Sequence, residues 1–427
     1  MAITIQDQPY QWSPRGQKLM IVATSTEYAQ DGFKYGVEVT NTDTGKTYTF
    51  FLSPALDNRL YFDMQSLVQL RNKETELMHA TLVSSTFEEG NNALNEFSFV
   101  ISEYWIVAGV LTLNPGSEEA GTNVSVVNGY YQVSDGYKPN ANSGAIDVKY
   151  ALNSNTSRMM SDRVNGTHQP TVLPGGFTRD NIFIPVREED YGMLFIPGNS
   201  DLLSNNDALQ YRIILYDNAF DSHIGSFVPL NGFDIEGLGV YPANINADDG
   251  YDIKPSDFPG WKFYQVNIKG TAGAQKSEYY IFYNICEYGR CECIFENIRL
   301  GWVNSRSGWE YLNFNKRSEM SNEIDRKVYR RNLFNSNTTI FNKYDRGLFQ
   351  RQNLVQRVLS VTSDFIQQGE FELLRGLLAS NQVHWIHDDG TFTPVNIDDT
   401  SFTEKNTRDG KLYNVTLKVR IANEYWS

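Results

Sequence analysis

The sequence predicts a mainly β protein, built of β-sandwich modules with a loop-rich β insertion and a small C-terminal α+β module. Three observations carry that expectation. Apolar residues recur with a period of two, as where Phe33, Tyr35, Val37 and Val39 alternate with Lys34, Gly36, Glu38 and Thr40, the mark of a half-buried strand. Turn chemistry punctuates these runs, as in Asn41-Thr-Asp-Thr-Gly45, where Asn, Asp and Gly suit tight reversals. A helical period shows in only two short places.

The elements follow in order. Leu19 to Ala23 is apolar on both faces and suits a buried strand; Thr47 to Leu52 resumes after the Gly45 turn, and Phe97 to Leu113 adds aromatic and β-branched residues. A helical turn is expected at Phe62 to Val68, capped by Asp63, with Met64, Leu67 and Val68 on one face. Residues 1–110 thus read as an N-terminal β-sandwich. From 111 to 260 Gly, Asn, Ser and Pro rise around short apolar runs such as Ile182-Phe-Ile-Pro185 and Tyr211-Arg-Ile-Ile-Leu-Tyr216, and Ser134 to Gly144 reads as turns. This stretch reads as the insertion.

Residues 261–350 return to strand patterning and are expected to complete the core. Val266 and Ile268 alternate with Asn267 and Lys269, Gly270 to Gly273 turns, and Tyr279 to Ile285 pairs back; Arg299 to Asn304 and Trp309 to Phe314 flank a Ser307-Gly308 turn. In 351–427, Val355 to Val361 reads as a strand and Gln368 to Ser380 as a helix, with Phe371, Leu374 and Leu378 facing the core and Glu370 and Glu372 at its positive end. Asp388-Asp-Gly-Thr391 turns, and Val415, Leu417, Val419 and Ile421 close the sheet, with Lys418 on the opposite face.

Composition limits function. The 427 residues are 41% hydrophobic, 13% aromatic and 21% charged, which suits folded domains rather than a disordered chain. Thirty-seven basic against 51 acidic residues give −14, a charge unsuited to broad nucleic-acid binding. No apolar run approaches the roughly 20 residues of a membrane helix, and the start lacks a signal-peptide pattern. The expectation is a soluble protein of a reducing cytoplasm.

Chemistry is sparse. Cys286, Cys291 and Cys293 are spaced C-x4-C-x-C, with neither a His nor a fourth Cys nearby; they read as small residues around a hairpin rather than as a zinc site. His384 and His387 lie three apart in an expected strand, where they point to opposite faces and share no metal. Asn244 to Asp252 has the oxygen density of a calcium loop, but Asp249 stands where the sharp-turn Gly belongs and Pro255 where the bidentate Glu belongs. It reads as a polar turn. The basic run Lys327-Val-Tyr-Arg-Arg331, with Tyr344 to Gly347 beyond it, is flanked by Glu319, Glu323 and Asp325 and reads as a solvated strand face or a protein interface. No nucleophile elbow, Walker A loop or H-E-x-x-H is present. Catalytic, cofactor and metal residues are therefore all expected to be none, although two carboxylates joined by folding would suffice for a glycosidase.

Three stretches carry a family likeness: Ser53-Pro-Ala-Leu-Asp-Asn-Arg-Leu-Tyr-Phe-Asp-Met-Gln-Ser-Leu-Val-Gln69; Cys286 to Phe314, above all Leu300-Gly-Trp-Val-Asn-Ser-Arg-Ser-Gly-Trp-Glu-Tyr-Leu-Asn-Phe314; and Gly390-Thr-Phe-Thr-Pro-Val-Asn-Ile-Asp-Asp-Thr-Ser-Phe402 with Lys411-Leu-Tyr-Asn-Val-Thr-Leu417. In these the chain resembles virion tail proteins of phages and prophages of Bacteroidetes, including crAss-like phages, over residues 18–108 and 261–427. It departs from them at Ser307, which replaces the first Gly of an Asn-x-x-Gly-Gly turn, and at Glu310, where Asp is expected. The resemblance implies a non-enzymatic tail-hub or baseplate-like protein that joins the tail tube to fibres or distal parts and so supports host attachment and genome delivery. Its implied partners are other tail proteins (tube, fibre or adjacent ring proteins) and further copies of itself in a ring, with no sequence-specific nucleic acid; its place is the virion, after assembly in the host cytoplasm. Alternatives are a head–tail connector or collar ring, and a carbohydrate-binding or capsule-degrading module centred on the Asp- and Tyr-containing insertion.

Overall fold

The computed structural model describes residues 3–69, 87–89, 94–130, 157–163, 181–197, 209–229, 235–247, 251–270, 273–288, 295–330, 348–363, 371–398 and 414–422. The fold is mainly β. The chain divides into two compact units, 1–291 with 303–310, and 292–302 with 311–427.

In the first unit, strands Ile3–Asp7, Met20–Ser25 and Arg59–Asp63 form one sheet. A larger sheet runs in the order Trp12–Pro14, Val124–Val127, Leu94–Val107, Lys34–Asn41, Lys46–Leu52. Their inner faces meet in a core of Ile21, Ala23 and Leu60 with Val37, Val39, Phe97 and Phe99. The alternation of Tyr35, Val37 and Val39 exists because that face of Lys34–Asn41 lies in this core. Asp63 accepts bonds through Oδ1 from the Gln65 and Leu19 amides, both at 3.0 Å, and the short helix Gln65–Gln69 follows with Met64, Leu67 and Val68 buried.

The sandwich reaches past residue 110, because Val124–Val127 pairs antiparallel with Leu94–Val107 and parallel with Trp12–Pro14. A five-stranded sheet follows in the order Ile182–Val186, Tyr280–Asn284, Phe263–Gly270, Leu209–Tyr216, Ser222–Pro229. It mixes strands from either side of residue 260. Tyr264 stacks on Phe282 at 4.8 Å and donates its hydroxyl to the Val240 carbonyl at 2.7 Å. A fourth sheet, of three strands, joins Leu194–Pro197, Ile235–Leu238 and Phe87–Glu89. The expected turns at Ser134–Gly144 lie outside the described residues.

The second unit is one sheet in the order Trp309–Phe314, Ile298–Val303, Val383–Ile386, Phe392–Ile397, Thr416–Ile421, Leu348–Thr362, Glu319–Arg330; residues 303–310 of its first hairpin count with the first unit. Leu417, Val419 and Ile421 are buried and Lys418 is exposed, so the closing strand alternates. The helix Phe371–Ala379 lies in the core through Leu373, Leu374 and Leu377. This corrects the expected face: Leu378 is only half-buried, packed at the edge of that core, because the stripe is centred one residue earlier. The side chains of Phe371 and Glu372, and residue Glu370, lie outside the description.

Among the described residues no helix is long and apolar enough to cross a membrane.

Candidate functional site

The feature that the core does not explain is the strand Glu319–Arg330. All twelve of its residues are exposed, and it stands at the end of its sheet, paired only with Leu348–Thr362 among the described residues. That partner strand is in turn paired with Thr416–Ile421 only over Val358–Thr362. From Asn322 to Arg330 the two strands therefore form a ribbon with no third strand among the described residues. At about 3.3 Å per residue the ribbon extends roughly 30 Å.

An isolated two-stranded ribbon is marginal in water, so its contacts matter. At its base, Arg420 donates to both Asp398 oxygens, at 2.7 to 3.1 Å, to Glu323 Oε2 at 3.1 Å, and to the Gln356 side-chain carbonyl. The Asp398 hydrogen bonds are the main reason the guanidinium pKa is raised further above its ordinary value. Further out, Tyr329 and Phe349 lie directly opposite and stack at 5.8 Å. Between these two anchors lies a bulge, where Lys327 pairs with Gln352 and Val328 with Gln350, and such an extra residue strengthens local twist.

The ribbon's surface is patterned. Met320, Ile324 and Val328 share one face by parity and are 52%, 49% and 59% exposed. Acidic residues Glu319, Glu323 and Asp325 occupy the first half, and Arg326, Lys327 and Arg330 the second. The basic run seen in the sequence is thus the outer half of a projecting strand. Arg331 and Tyr344 to Gly347 lie outside the described residues.

The other sequence candidates resolve differently. Cys286 is disulfide-bonded, a bond that the spacing of the cysteines does not announce; Cys291 and Cys293 lie outside the described residues. His384 sits in strand Val383–Ile386 and His387 just past it. His384 packs edge-on against Phe392 and burial pulls its pKa down to about 4, while His387 Nε2 lies 2.9 Å from Thr393 Oγ1. The calcium-like stretch begins as the helix Pro242–Ala247. There Asn244 Oδ1 accepts from the Gly192 amide at 2.8 Å and Asn246 Oδ1 from the Ser256 amide at 2.9 Å; residues 248–250 lie outside the description. Among the described residues no group of three His, Cys, Asp or Glu side chains is placed to hold a metal ion.

One charged cluster escaped the sequence reading. Glu310 is buried in the first unit and accepts through Oε1 from Ser161 Oγ at 2.6 Å, the Asp162 amide at 2.8 Å and Asn304 Nδ2 at 3.3 Å. Its Oε2 lies 3.2 Å from Arg163 Nε, which is equally buried. Asp162 in turn accepts from the Ser305 amide and hydroxyl at 2.7 and 2.6 Å. Burial raises the Glu310 pKa, and the Arg163 charge opposes that rise. Two carboxylates do meet here; Glu310 is sealed from solvent, and both accept from internal donors that tie residues 161–163 to the 304–310 turn. Nothing local in the sequence marks it, since Ser161 and Glu310 are 149 positions apart.

The same turn places Ser307 under strain. Asn304 Oδ1 accepts from the Arg306 and Gly308 amides, both at 2.9 Å, which closes the turn. Ser307 takes φ 71°, where glycine is favoured. A Cβ on Gly308 would stand 1.9 Å from the Met160 carbonyl oxygen, so only glycine fits there.

No family model matches the chain, and no curated protein matches it. Among solved structures it is similar to the crystal structure of chicken CNTN1 FN1-FN3 domains, with 8% identity over 65% of this chain and 62% of that one. The TM-score is 0.16, too low to bear on fold or function.

Proposed function

We propose that this chain is a non-enzymatic structural component of a phage virion tail, a hub or baseplate-like ring protein that joins the tube to fibres or distal parts. The observation that supports this reading best is the long outer strand of the ribbon, Glu319–Arg330, exposed along its whole length. A free enzyme gains nothing from about 30 Å of strand whose outer edge has no partner among the described residues, and natural monomers block or shorten such edges. A subunit that must lock onto neighbours gains an interface whose backbone groups are already aligned. The rest agrees with that role. Sheets with aromatic-rich cores, Tyr264 on Phe282 among them, make rigid bodies suited to a symmetric assembly, and the resemblance in 18–108 and 261–427 points to the same family of particles. In the particle the ribbon contacts other tail proteins or further copies of the chain.

The test is cryo-electron microscopy of particles from a phage or induced prophage carrying this gene. The proposal expects the chain in a tail ring below the tube. Density at the portal would instead make it a head–tail connector or collar protein, and absence from the particle would end the structural reading.

A further inference from the structure

The charges on the ribbon's outer strand are sorted by sign. Charged residues on an edge strand normally prevent pairing, and a mixed or single-signed row would do so. Here the first half carries Glu319, Glu323 and Asp325, and the second half Arg326, Lys327 and Arg330. Glu319 is engaged by Arg317 and Glu323 by Arg420. Asp325 and Lys327 have no ion pair among the described residues and stand exposed. Against a parallel copy of the same strand, acid would face acid and base would face base. Against an antiparallel copy, the acidic half meets the basic half twice.

We propose that the outer edge of Glu319–Arg330 pairs antiparallel with the same edge of a second copy of this chain, joining two ribbons into one four-stranded sheet. The inference rests on the reading of the ribbon as an assembly arm and names its partner. The symmetry fixes the possible registers. A two-fold axis normal to the sheet keeps side chains on matching faces only when residues of like parity face each other. With the axis at Arg326, Asp325 faces the second copy's Lys327, and Ile324 faces the second copy's Val328. Only Arg326 then meets its own kind. Ile324 and Val328, half-exposed in the single chain, become cross-strand apolar neighbours, and opposite charges directly across a strand pair are stabilising. An unrelated partner would leave unexplained why one strand carries both signs in two blocks. The contact is isologous and closes on itself, so it joins copies in pairs rather than head to tail around a ring.

The test uses the full chain and two single substitutions, Asp325→Lys and Lys327→Glu, each at a residue that is solvent-exposed in the single chain. Sedimentation equilibrium should show the wild type dimerising. Each variant alone should dimerise at least about tenfold more weakly, a loss of about 1.4 kcal/mol, with an unchanged melting temperature. An equimolar mixture of the two should dimerise again, because position 325 of the Asp325→Lys chain, now basic, then faces position 327 of the Lys327→Glu chain, now acidic. A wild-type chain that stays monomeric at every concentration, or a dimer indifferent to both substitutions, overturns the inference. Incorporation into particles separates the two levels of the argument. If the wild type is monomeric but either variant fails to incorporate, the edge serves a different partner and the assembly-arm reading stands while the self-pairing falls. If both variants incorporate normally and dimerisation is unaffected, the assembly-arm reading falls as well.

Discussion

Replacing Ser307 with glycine should stabilise the protein, an unusual direction for a change at a fully buried site. Ser307 holds φ 71° within the turn closed by Asn304, and the left-handed region costs a non-glycine residue roughly 1–2 kcal/mol. Its hydroxyl is buried with no hydrogen-bond partner among the described residues, a desolvation cost of about 1–3 kcal/mol. Against these stands the extra freedom of glycine in the unfolded chain, about 0.5–1 kcal/mol. The net expectation is a gain of about 1–4 kcal/mol for Ser307→Gly. Ser307→Ala separates the contributions, since alanine removes the orphaned hydroxyl but keeps the Cβ and its strain. The order of stability should be glycine, then alanine, then serine. Thermal melting followed by tryptophan fluorescence is a direct assay, because Trp309 is buried close by in the chain. With two compact units in the chain, the transition that reports on Trp309 is the one to compare, rather than a single global value. Glycine equal to or below alanine would refute the strain argument. Glycine below serine would refute the whole account of the turn.

Three further outcomes follow from the packing. Leu377→Ala should cost roughly 2–5 kcal/mol, the range for a packed leucine, and Leu378→Ala clearly less, since Leu377 is fully buried and Leu378 is not; equal losses by urea unfolding would contradict the helix orientation. Arg163→Met should cost about 3–5 kcal/mol near neutral pH by stranding the buried Glu310 carboxylate. Because the carboxyl pKa is already raised and then loses its opposing cation, the deficit should shrink as pH falls and the group takes up a proton; a deficit constant with pH would show that Glu310 is not the group left stranded. The lowered pKa of His384, about 4 against an ordinary 6.5, means the unfolded chain binds a proton that the folded chain refuses. Stability should be full above pH 6.5 and decline toward pH 4, and His384→Gln should flatten that part of the profile; an unchanged slope would place the titration elsewhere.

The parts of the fold legible in the sequence are those with one wet and one dry face. Tyr35, Val37 and Val39, and later Leu417, Val419 and Ile421, alternate because a core lies on one side, and Asp63 announced its helix by residue type alone. The helix near the C terminus was legible in kind but not in orientation: with leucines at 373, 374, 377 and 378, the stripe can be centred at either edge, and packing into the sheet's core chose the earlier one. The ribbon was hard to see for the opposite reason. A strand exposed on both faces has no core to impose alternation, so only its charges stood out, and they read as a short basic run. The Glu310 cluster was invisible because proximity between Ser161 and Glu310 arises only on folding. Cys286 shows the same limit, since spacing alone did not disclose its disulfide.

The central claim is that the exposed edge of Glu319–Arg330 is covered when the protein assembles. Amide hydrogen exchange measures this directly, because the amides of an unpaired edge exchange with solvent while those in a ladder are protected. The account predicts fast exchange at about every second residue from Asn322 to Arg330 in the dilute chain, and strong protection of the same amides in intact particles. Fast exchange at those positions in the assembled particle would contradict it.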